Sequence, residues 1–268
     1  MIARIKTAFN KLFFCGSITA NISSFILLVW HTKKYKWRKK DYHQKSLNVR
    51  PVKYSLRFNK QIRNVYLRTY SGDLDIFYEI FWKKTYAFSR NYMPHLIVDF
   101  GANVGLSPLF FLNQFPQSKI ICVEPDPGNI KTLKRNLEQE ITDNNIIVSE
   151  SAITDKDGIM QLSNSLLKYN SKLLAGKNSD ESNVKVKVLS MNSFLQKYSI
   201  DQIDILKIDI EGSEVELFSA DAAWLSMVKE VIIETHSIVA EEICSKIFLQ
   251  NQFTLQDHTA NIFHWIRS

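Results

Sequence analysis

Residues 96–105 constrain the fold of this chain more than any other stretch. They read LIVDFGANVG, an apolar run that reaches Asp99 and then enters a turn bracketed by Gly101 and Gly105. Glycine adopts backbone angles that are closed to other residues, and it lets the main chain approach a ligand. The helix predicted next would offer unpaired N–H groups at its N-terminus. This order of strand, acid, glycine turn and helix is typical of a nucleotide-binding βαβ unit.

A second acidic residue strengthens that interpretation. Residues 119–123 read KIICV, a predicted strand that is followed by Glu124. Glu124 lies about 20 residues past the glycine turn, where a carboxylate that binds ribose hydroxyls is expected. The alternative explanation is a tight turn and an unrelated surface glutamate. The order of the elements favours the binding site.

The rest of the chain continues to alternate strand and helix at short intervals, which is typical of a parallel sheet covered on both faces. Parallel strands are predicted at residues 96–99, 119–123, 145–149, 203–212 and 230–236. Residues 253–255 and 262–266 are predicted to close the sheet as an antiparallel pair. The fold class is therefore α/β, with a doubly wound, mostly parallel sheet of seven strands.

Charge is distributed unevenly along the chain, whose formal net charge is +7. Residues 1–70 hold 16 of the 34 Lys and Arg residues but only one of the 27 acidic residues, Asp41. The remainder is acidic, so a nucleic-acid footprint is not expected there, whereas the basic arm suits an anionic membrane surface or an acidic partner. We predict a basic amphipathic arm at 1–45, a hairpin and helix segment at 46–93, and the main domain at 94–268.

The arm contains an uncharged stretch, residues 12–30, that polar residues interrupt, so its hydrophobicity is marginal for a spanning helix. Apolar residues at helical spacing are Ile18, Ile22, Phe25 and Val29. A basic run with interleaved aromatic residues follows at 33–40. Two alternatives stay open: a helix that contacts a membrane surface through residues 12–40, or a helix docked on the rest of the protein.

The cysteines indicate the compartment. Cys15, Cys122 and Cys244 are scattered and show no Cys-x-x-Cys spacing, so neither a zinc site nor a disulfide framework is predicted. A signal-peptide cleavage pattern of small residues does not precede the basic run. We therefore expect a cytoplasmic protein, peripheral at the inner face of the membrane if the arm binds lipid.

Three motifs occur in a characteristic order, DFGANVG at 99–105, EPDP at 124–127 and LKIDIEGSE at 206–214. In order and spacing they resemble the FkbM family of class I S-adenosylmethionine-dependent methyltransferases, and the similarity extends over residues 60–240. One position departs from the pattern, because Asn192 stands where the family usually has aspartate. The resemblance implies a Rossmann-like fold and S-adenosylmethionine as the cofactor.

The resemblance also implies where that cofactor binds. The glycine turn would hold its methionine end near Asp99 and Asn103, and Glu124 would accept hydrogen bonds from the ribose hydroxyls. Adenine would lie between residues at the end of the third strand. The predicted cofactor-binding residues are Asp99, Gly101, Asn103, Gly105, Glu124, Pro125, Asp126, Asn129, Ser151 and Ala152. For Asp126, a helix cap alone is a sufficient explanation.

Methyl transfer to a hydroxyl requires in-line attack and a group that takes the hydroxyl proton. Asp209, Glu211 and His236 follow neighbouring predicted strands, so they are expected at one edge of the sheet. We predict that His236 is the general base and that Asp209 or Glu211 orients it or the substrate. The alternative for His236 is a hydrogen-bonded strand-end histidine. No metal site is predicted, although Asp209, Glu211 and Glu234 offer oxygen ligands of the kind that divalent ions take.

The predicted function is O-methylation of a hydroxyl on a sugar, glycan or related small molecule, without a nucleic-acid partner. A nicotinamide-dependent dehydrogenase is one alternative, but the turn reads GANVG rather than Gly-x-Gly-x-x-Gly. A catalytically weak, membrane-docked scaffold is another, which the departure at Asn192 leaves open. The sequence does not identify the acceptor or the oligomeric state.

Overall fold

The computed structural model describes residues 2–38, 50–59, 61–69, 72–162, 173–174, 184–219 and 221–268. These residues divide into two compact units, the first ending at Lys84 and the second beginning at Thr85. The predicted boundary at residue 45 lies outside the described residues, and the three-part division of the chain stays a prediction.

The first unit combines two helices with a β-hairpin. Its elements are α1 (Ile2–Ile18), α2 (Ile22–Arg38), β1 (Val52–Phe58), β2 (Gln61–Leu67) and α3 (Asp73–Phe77), which continues as a π-helical turn over Tyr78–Trp82. The strands β1 and β2 pair antiparallel from Val52↔Leu67 to Phe58↔Gln61, which confirms the predicted hairpin. Both helices pack against β1.

The predicted helical stripe in the arm is wrong, because the chain leaves the helix between Ile18 and Ile22. The hydroxyl of Thr19 donates to the Cys15 carbonyl at 2.7 Å, and the amide of Ala20 donates to the Ser55 carbonyl of β1 at 2.8 Å. The side chain of Asn21 then caps α2 by accepting from the Ser24 amide at 2.8 Å. These hydrogen bonds favour a turn over a continuous helix. Among the described residues, no helix combines the length and the hydropathy that a membrane span requires.

The second unit contains two sheets, six α-helices and a short 3-10 helix at Ala223–Met227 within its described residues. Its strands are β3 (Leu96–Phe100), β4 (Lys119–Val123), β5 (Ile146–Ser149), β6 (Ala152–Thr154), β7 (Gly158–Leu162), β8 (Leu173–Leu174), β9 (Val184–Ser190), β10 (Ile203–Ile208), β11 (Val228–Glu234), β12 (Phe253–Thr259) and β13 (Ile262–Arg267). Its helices are α4 (Leu106–Gln114), α5 (Pro127–Asn136), α6 (Glu138–Thr142), α7 (Met191–Tyr198), α8 (Glu214–Leu217) and α9 (Ile238–Gln250).

The larger sheet confirms the predicted fold. Its seven strands run in the order β5-β4-β3-β10-β11-β13-β12. All neighbouring strands pair parallel except β11 with β13 and β13 with β12, which pair antiparallel. The chain moves outward from β3 to β5 and later returns to place β10 on the other side of β3. Ligands of open α/β sheets bind at the carboxyl ends of the strands where the order reverses in this way. The expected binding edge therefore lies beyond β3 and β10.

The smaller sheet was not predicted, and it includes residues 152–154, which follow the end of the larger sheet's edge strand β5. These residues form β6, which pairs parallel with β9, from Ala152↔Val188 to Thr154↔Ser190. The order of this sheet is β6-β9-β7-β8. The pairing turns the chain away from the larger sheet directly after β5.

Apolar packing fixes the strands that carry the binding edge. Every residue of β10 is buried, and the ring of Phe100 on β3 packs edge-on against Phe194 of α7 at 5.4 Å between centroids. In the same core, the ring of Phe248 on α9 lies 5.4 Å from the rings of Phe218 and Trp265, measured between centroids. Burial of this kind holds the strands rigidly, so groups that follow them keep fixed positions.

Candidate active site

The turn after β3 comes so close to the end of β10 that only glycine fits at residue 101. Gly101 has a φ of 78°, and a Cβ added there would lie 1.8 Å from the Asp209 carbonyl oxygen. The amides of Gly101 and Ala102 both donate to the Val123 carbonyl at 3.0 Å. At Gly105, a Cβ would lie 3.0 Å from Leu137. The predicted glycine turn therefore joins β3, β4 and β10 at the binding edge.

A buried lysine that was assigned no role from the sequence lies beneath this turn. The Nζ atom of Lys207 is 2.9 Å from Asp99 Oδ1 and 3.5 Å from Asp209 Oδ2, and it donates to the Gly101 carbonyl at 2.8 Å. Burial alone would lower the pKa of Lys207, but the carboxylates of Asp99 and Asp209 outweigh it and raise that pKa. The hydroxyl of Ser107 donates to Asp99 Oδ2 at 2.6 Å. Asp99 thus contacts the protein through both oxygens.

Glu124 is buried beside the glycine turn. Its Oε2 accepts from the backbone N–H of Asn103 at 2.8 Å. Its Oε1 accepts from the backbone N–H of Asp126 at 2.9 Å and from the side-chain Nδ2 of Asn129 at 3.1 Å. Burial raises the pKa of Glu124 to about 7, although these hydrogen bonds act in the opposite direction. A carboxylate has about four acceptor positions, so about one remains for a ligand hydroxyl.

The other predicted cofactor-binding residues follow β4 and β5. Asp126 caps α5 by accepting from the Asn129 amide at 2.9 Å, which confirms the predicted cap, and Pro125 is half-buried just before it. Ser151 and Ala152 are buried after β5, with the Ser151 hydroxyl 2.9 Å from that of Ser149. The structure therefore gathers the predicted cofactor-binding residues along three adjacent strand ends.

Among the predicted cofactor-binding residues that the structure describes, two buried side-chain amide oxygens lack a hydrogen-bond partner. They are the Oδ1 atoms of Asn103 and Asn129. A buried acceptor without a partner is costly unless a ligand supplies a donor. Asn103 also has a φ of 50°, which is uncommon for a residue other than glycine. The donor-rich methionine end and ribose of S-adenosylmethionine fit these acceptors, so the residues present are compatible with that cofactor.

The predicted catalytic residues lie together after β10 and β11. The Nε2 atom of His236 is 3.4 Å from Glu211 Oε2, 3.8 Å from Asp209 Oδ1 and 4.0 Å from Glu234 Oε1. All four side chains are partly exposed, between 19% and 26%. Glu211 has a φ of 53°, a left-handed conformation rare for this residue type. The structure therefore brings the predicted catalytic residues together, and their catalytic role stays a prediction.

Glu214 also lies at the site, and it is not among the residues predicted from the sequence. Its buried Oε1 is 2.7 Å from His236 Nδ1 and also accepts from the Gly212 amide at 2.9 Å. The contact orients the imidazole and leaves Nε2 facing the partly exposed carboxylates. Glu214 belongs to the LKIDIEGSE motif, so the signal available in the sequence was an acidic residue in the first turn of a helix close to Glu211.

Burial and the surrounding charges shift the pKa values of His236, Glu211 and Glu234. Burial would lower the pKa of His236, but the hydrogen bond with Glu214 and the charges of Asp209 and Glu211 outweigh it and raise the pKa to about 9. Burial, followed by the charge of Asp209, raises the pKa of both Glu211 and Glu234 to about 7. At neutral pH the imidazole of His236 is therefore protonated, and it must lose that proton before it can act as a base.

The same cluster is the place where a metal ion could bind. Asp209, Glu211 and His236 each offer one ligand atom, and these atoms lie within 4.8 Å of one another. A cation would have to displace the proton of His236 in order to use its Nε2. The absence of a metal requirement therefore stays a prediction.

The departure at Asn192 lies at the start of a helix. Asn192 is exposed in the first turn of α7, and Ser190 caps that helix by accepting from the Ser193 amide at 3.2 Å. Asparagine in place of the family's aspartate is therefore compatible with α7, whose cap is supplied by Ser190.

Residues 99–266 match the Methyltransferase FkbM domain family. The methyltransferase sdnD of Sordaria araneosa is 26% identical over 190 residues, which cover 60% of this chain and 73% of that protein. Methyltransferase 1 of Beauveria bassiana (strain ARSEF 2860) is 25% identical over 195 residues, which cover 65% of this chain and 78% of that protein. The crystal structure of methyltransferase FkbM from Methylobacillus flagellatus KT aligns with a TM-score of 0.49 and 16% identity, over 70% of this chain and 47% of that one.

The family match covers more than half of the chain, and the strand order and glycine turn described above agree with it. This match is to a family of methyltransferases, so the dehydrogenase alternative is set aside. The chain belongs to the FkbM family of methyltransferases.

Proposed function

We propose that this methyltransferase transfers the methyl group of S-adenosylmethionine to a hydroxyl of a sugar, glycan or related small molecule. The observation that carries the proposal is the pair formed by His236 and Glu214, with Nδ1 and Oε1 separated by 2.7 Å. An alcohol is a weak nucleophile at neutral pH, so its methylation benefits from a positioned group that removes the proton.

The cofactor supplies an electrophilic methyl group on a sulfonium. In this chain Glu124 would accept from a ribose hydroxyl at its remaining acceptor position, and Asn103 Oδ1 would accept from the amino group of the methionine end. Ser151 and Ala152 would contact the adenine. The buried Lys207 holds Asp99 and the glycine turn in place beneath that site.

Glu214 prepares His236 to accept a proton at Nε2. When the imidazole is neutral, its single N–H at Nδ1 donates to the Glu214 carboxylate, which leaves the Nε2 lone pair free for the acceptor hydroxyl. After the transfer, the charges of Asp209 and Glu211 stabilise the imidazolium. Because the pKa of His236 is about 9, only about 1% of the imidazole is neutral at pH 7.

The charge of the cluster supports a neutral polyhydroxylated acceptor. The carboxylates of Asp209, Glu211 and Glu234 can accept hydrogen bonds from several hydroxyls of one sugar. The same carboxylates repel phosphate groups, which argues against RNA as the acceptor. For the compartment we propose the cytoplasm, which the three buried free thiols, Cys15, Cys122 and Cys244, support.

The test is transfer of a tritiated methyl group from S-adenosylmethionine to separate pools of glycans, lipids and RNA. We expect label in the glycan or small polyol pool, a loss of about 10²–10⁴-fold in the His236→Ala variant, and little change in His258→Ala, whose side chain is exposed on β12. Calorimetric binding of S-adenosylmethionine should persist in both variants. Label confined to RNA, or full turnover by His236→Ala, would contradict the proposal.

A further inference from the structure

The two N-terminal helices expose large apolar side chains on their outward faces. These residues, here called the helical apolar surface, are Phe9, Leu12, Phe13, Ile22, Ile26 and Trp30. Their exposed fractions range from 44% for Leu12 to 81% for Phe13. Contiguous exposed apolar surface is uncommon on soluble domains and marks a contact with a partner or a membrane.

The spacing of these residues gives each helix one apolar line. On α2, Ile22, Ile26 and Trp30 follow one another at intervals of four residues, and on α1, Phe9 and Phe13 do the same. Residues three or four apart lie on the same face of a helix. The exposure is therefore organised, and it differs from the isolated apolar residues found on most protein surfaces.

The opposite faces of both helices are fixed by contacts within the first unit, so rotation of the helices cannot bury the helical apolar surface. The hydroxyl of Tyr78 lies 3.3 Å from Cys15 Sγ on α1 and 2.8 Å from Thr32 Oγ1 on α2. On α2, His31 Nδ1 lies 2.6 Å from the hydroxyl of Tyr54 on β1, and Leu28 is fully buried. These contacts determine which residues face outward.

Positive charge accompanies the helical apolar surface. Lys33 and Lys34 follow Trp30 within one turn of α2, and Lys6 precedes Phe9 within one turn of α1. Neither helix sequence contains an aspartate or a glutamate. A layer of anionic headgroups complements cations beside an apolar face, and tryptophan is favoured at the boundary between headgroups and acyl chains. A protein partner alone would not explain why both helices lack acidic residues, whereas an anionic membrane does.

We propose that the first unit docks on membranes containing anionic phospholipid, with the helical apolar surface in the acyl boundary and Lys6, Lys33 and Lys34 at the headgroups. Each helix has 17 residues and one face committed to the hairpin, so α1 and α2 lie along the surface and do not cross it. This contact is independent of the proposed methyl transfer.

The test is co-sedimentation of the full chain with vesicles of phosphatidylcholine alone or with about 30% phosphatidylglycerol. We expect binding to the anionic vesicles, and at least about tenfold weaker binding for Phe13→Ser/Ile26→Ser/Trp30→Ser and for Lys6→Glu/Lys33→Glu/Lys34→Glu. The matched control is Ile62→Ser, which changes an exposed apolar residue on β2 and should bind like the wild type.

Unfolding curves and methyl transfer to a water-soluble acceptor, measured on the same variants, separate loss of docking from loss of structure or activity. Equal binding to neutral and anionic vesicles, or unchanged binding by the triple serine variant, would overturn the proposal. Sedimentation velocity tests the remaining explanation, which is that the helical apolar surface forms a dimer interface. If the wild type forms a dimer that the triple serine variant does not form, and neither binds vesicles, the helical apolar surface is a protein interface and the proposal is wrong.

Discussion

The glycine turn after β3 and the His236 cluster after β11 lie at the same edge of the sheet, but their charges are arranged differently. Beneath the turn, two carboxylates share the buried cation Lys207, which stays charged. Around His236, four carboxylates, those of Asp209, Glu211, Glu214 and Glu234, face one imidazole. Paired charge gives a fixed support for the turn, whereas excess negative charge gives groups that titrate near the pH at which an enzyme works.

Removal of the buried cation should have the largest effect. Lys207→Met leaves Asp99 charged and buried without its ion pair, so we expect the free energy of unfolding to fall by about 3–5 kcal/mol. The control is Lys229→Met, which breaks a more exposed ion pair with Asp204 and should cost at most about 1 kcal/mol. Urea denaturation of both variants measures the difference. Similar losses in the two would show that Lys207 does not support the turn.

The glycine turn itself gives the next largest effect. In Gly101→Ala the new Cβ would overlap the Asp209 carbonyl oxygen, which lies 1.8 Å away, and φ is positive. We expect a loss of about 3 kcal/mol in unfolding free energy and weaker binding of S-adenosylmethionine. Gly158→Ala has nothing within 4 Å of the added Cβ and should change stability little. Thermal unfolding and calorimetry of the two variants provide the comparison.

Glu214→Gln perturbs the titrating side of the site more mildly. Glutamine keeps an acceptor for His236 Nδ1 but removes a negative charge, so the pKa of His236 should fall by about one unit. We expect the acidic limb of the pH profile of kcat/KM to move to lower pH by that amount, and the maximal rate to fall by about tenfold. The conservative variant Glu216→Gln, on the same short helix, should leave the limb in place. If Glu214→Gln leaves the acidic limb of the kcat/KM profile at the same pH, Glu214 has only a structural role.

Chelation should have the smallest effect. The proton on His236 already offsets the carboxylates around it, so we expect EDTA to change the rate by less than about twofold. The check is turnover with and without added Mg²⁺ or Mn²⁺. Loss of activity with EDTA and its recovery with either ion would place a cation among Asp209, Glu211 and His236.

The features that the sequence predicted well are those set by local chemistry. Gly101 lies at a positive φ, and the side chain of Asp126 caps α5. Both requirements are visible in a few consecutive residues. The parallel strands were also predicted, with ends within a few residues of those observed, because continuous apolar runs are typical of a sheet buried on both faces.

The features that it missed depend on contacts between distant residues. Glu214 acquires its role from His236, 22 residues later, and Lys207 from the register that pairs it with Asp99. The turn at Thr19 and Ala20 depends on pairing with β1, which apolar periodicity does not report. The helix α9 is an exception. It was not predicted either, although Ser237, which caps it, is a local signal.

The most direct test of the account is the pH dependence of kcat/KM for S-adenosylmethionine at saturating acceptor. If His236 takes the hydroxyl proton, only its neutral form is active, so kcat/KM should rise about tenfold per pH unit from about pH 6 and level off near the pKa of about 9. The His236→Ala variant should lose this limb together with most of the rate. A profile that is flat across the same range in the wild-type protein would contradict the account.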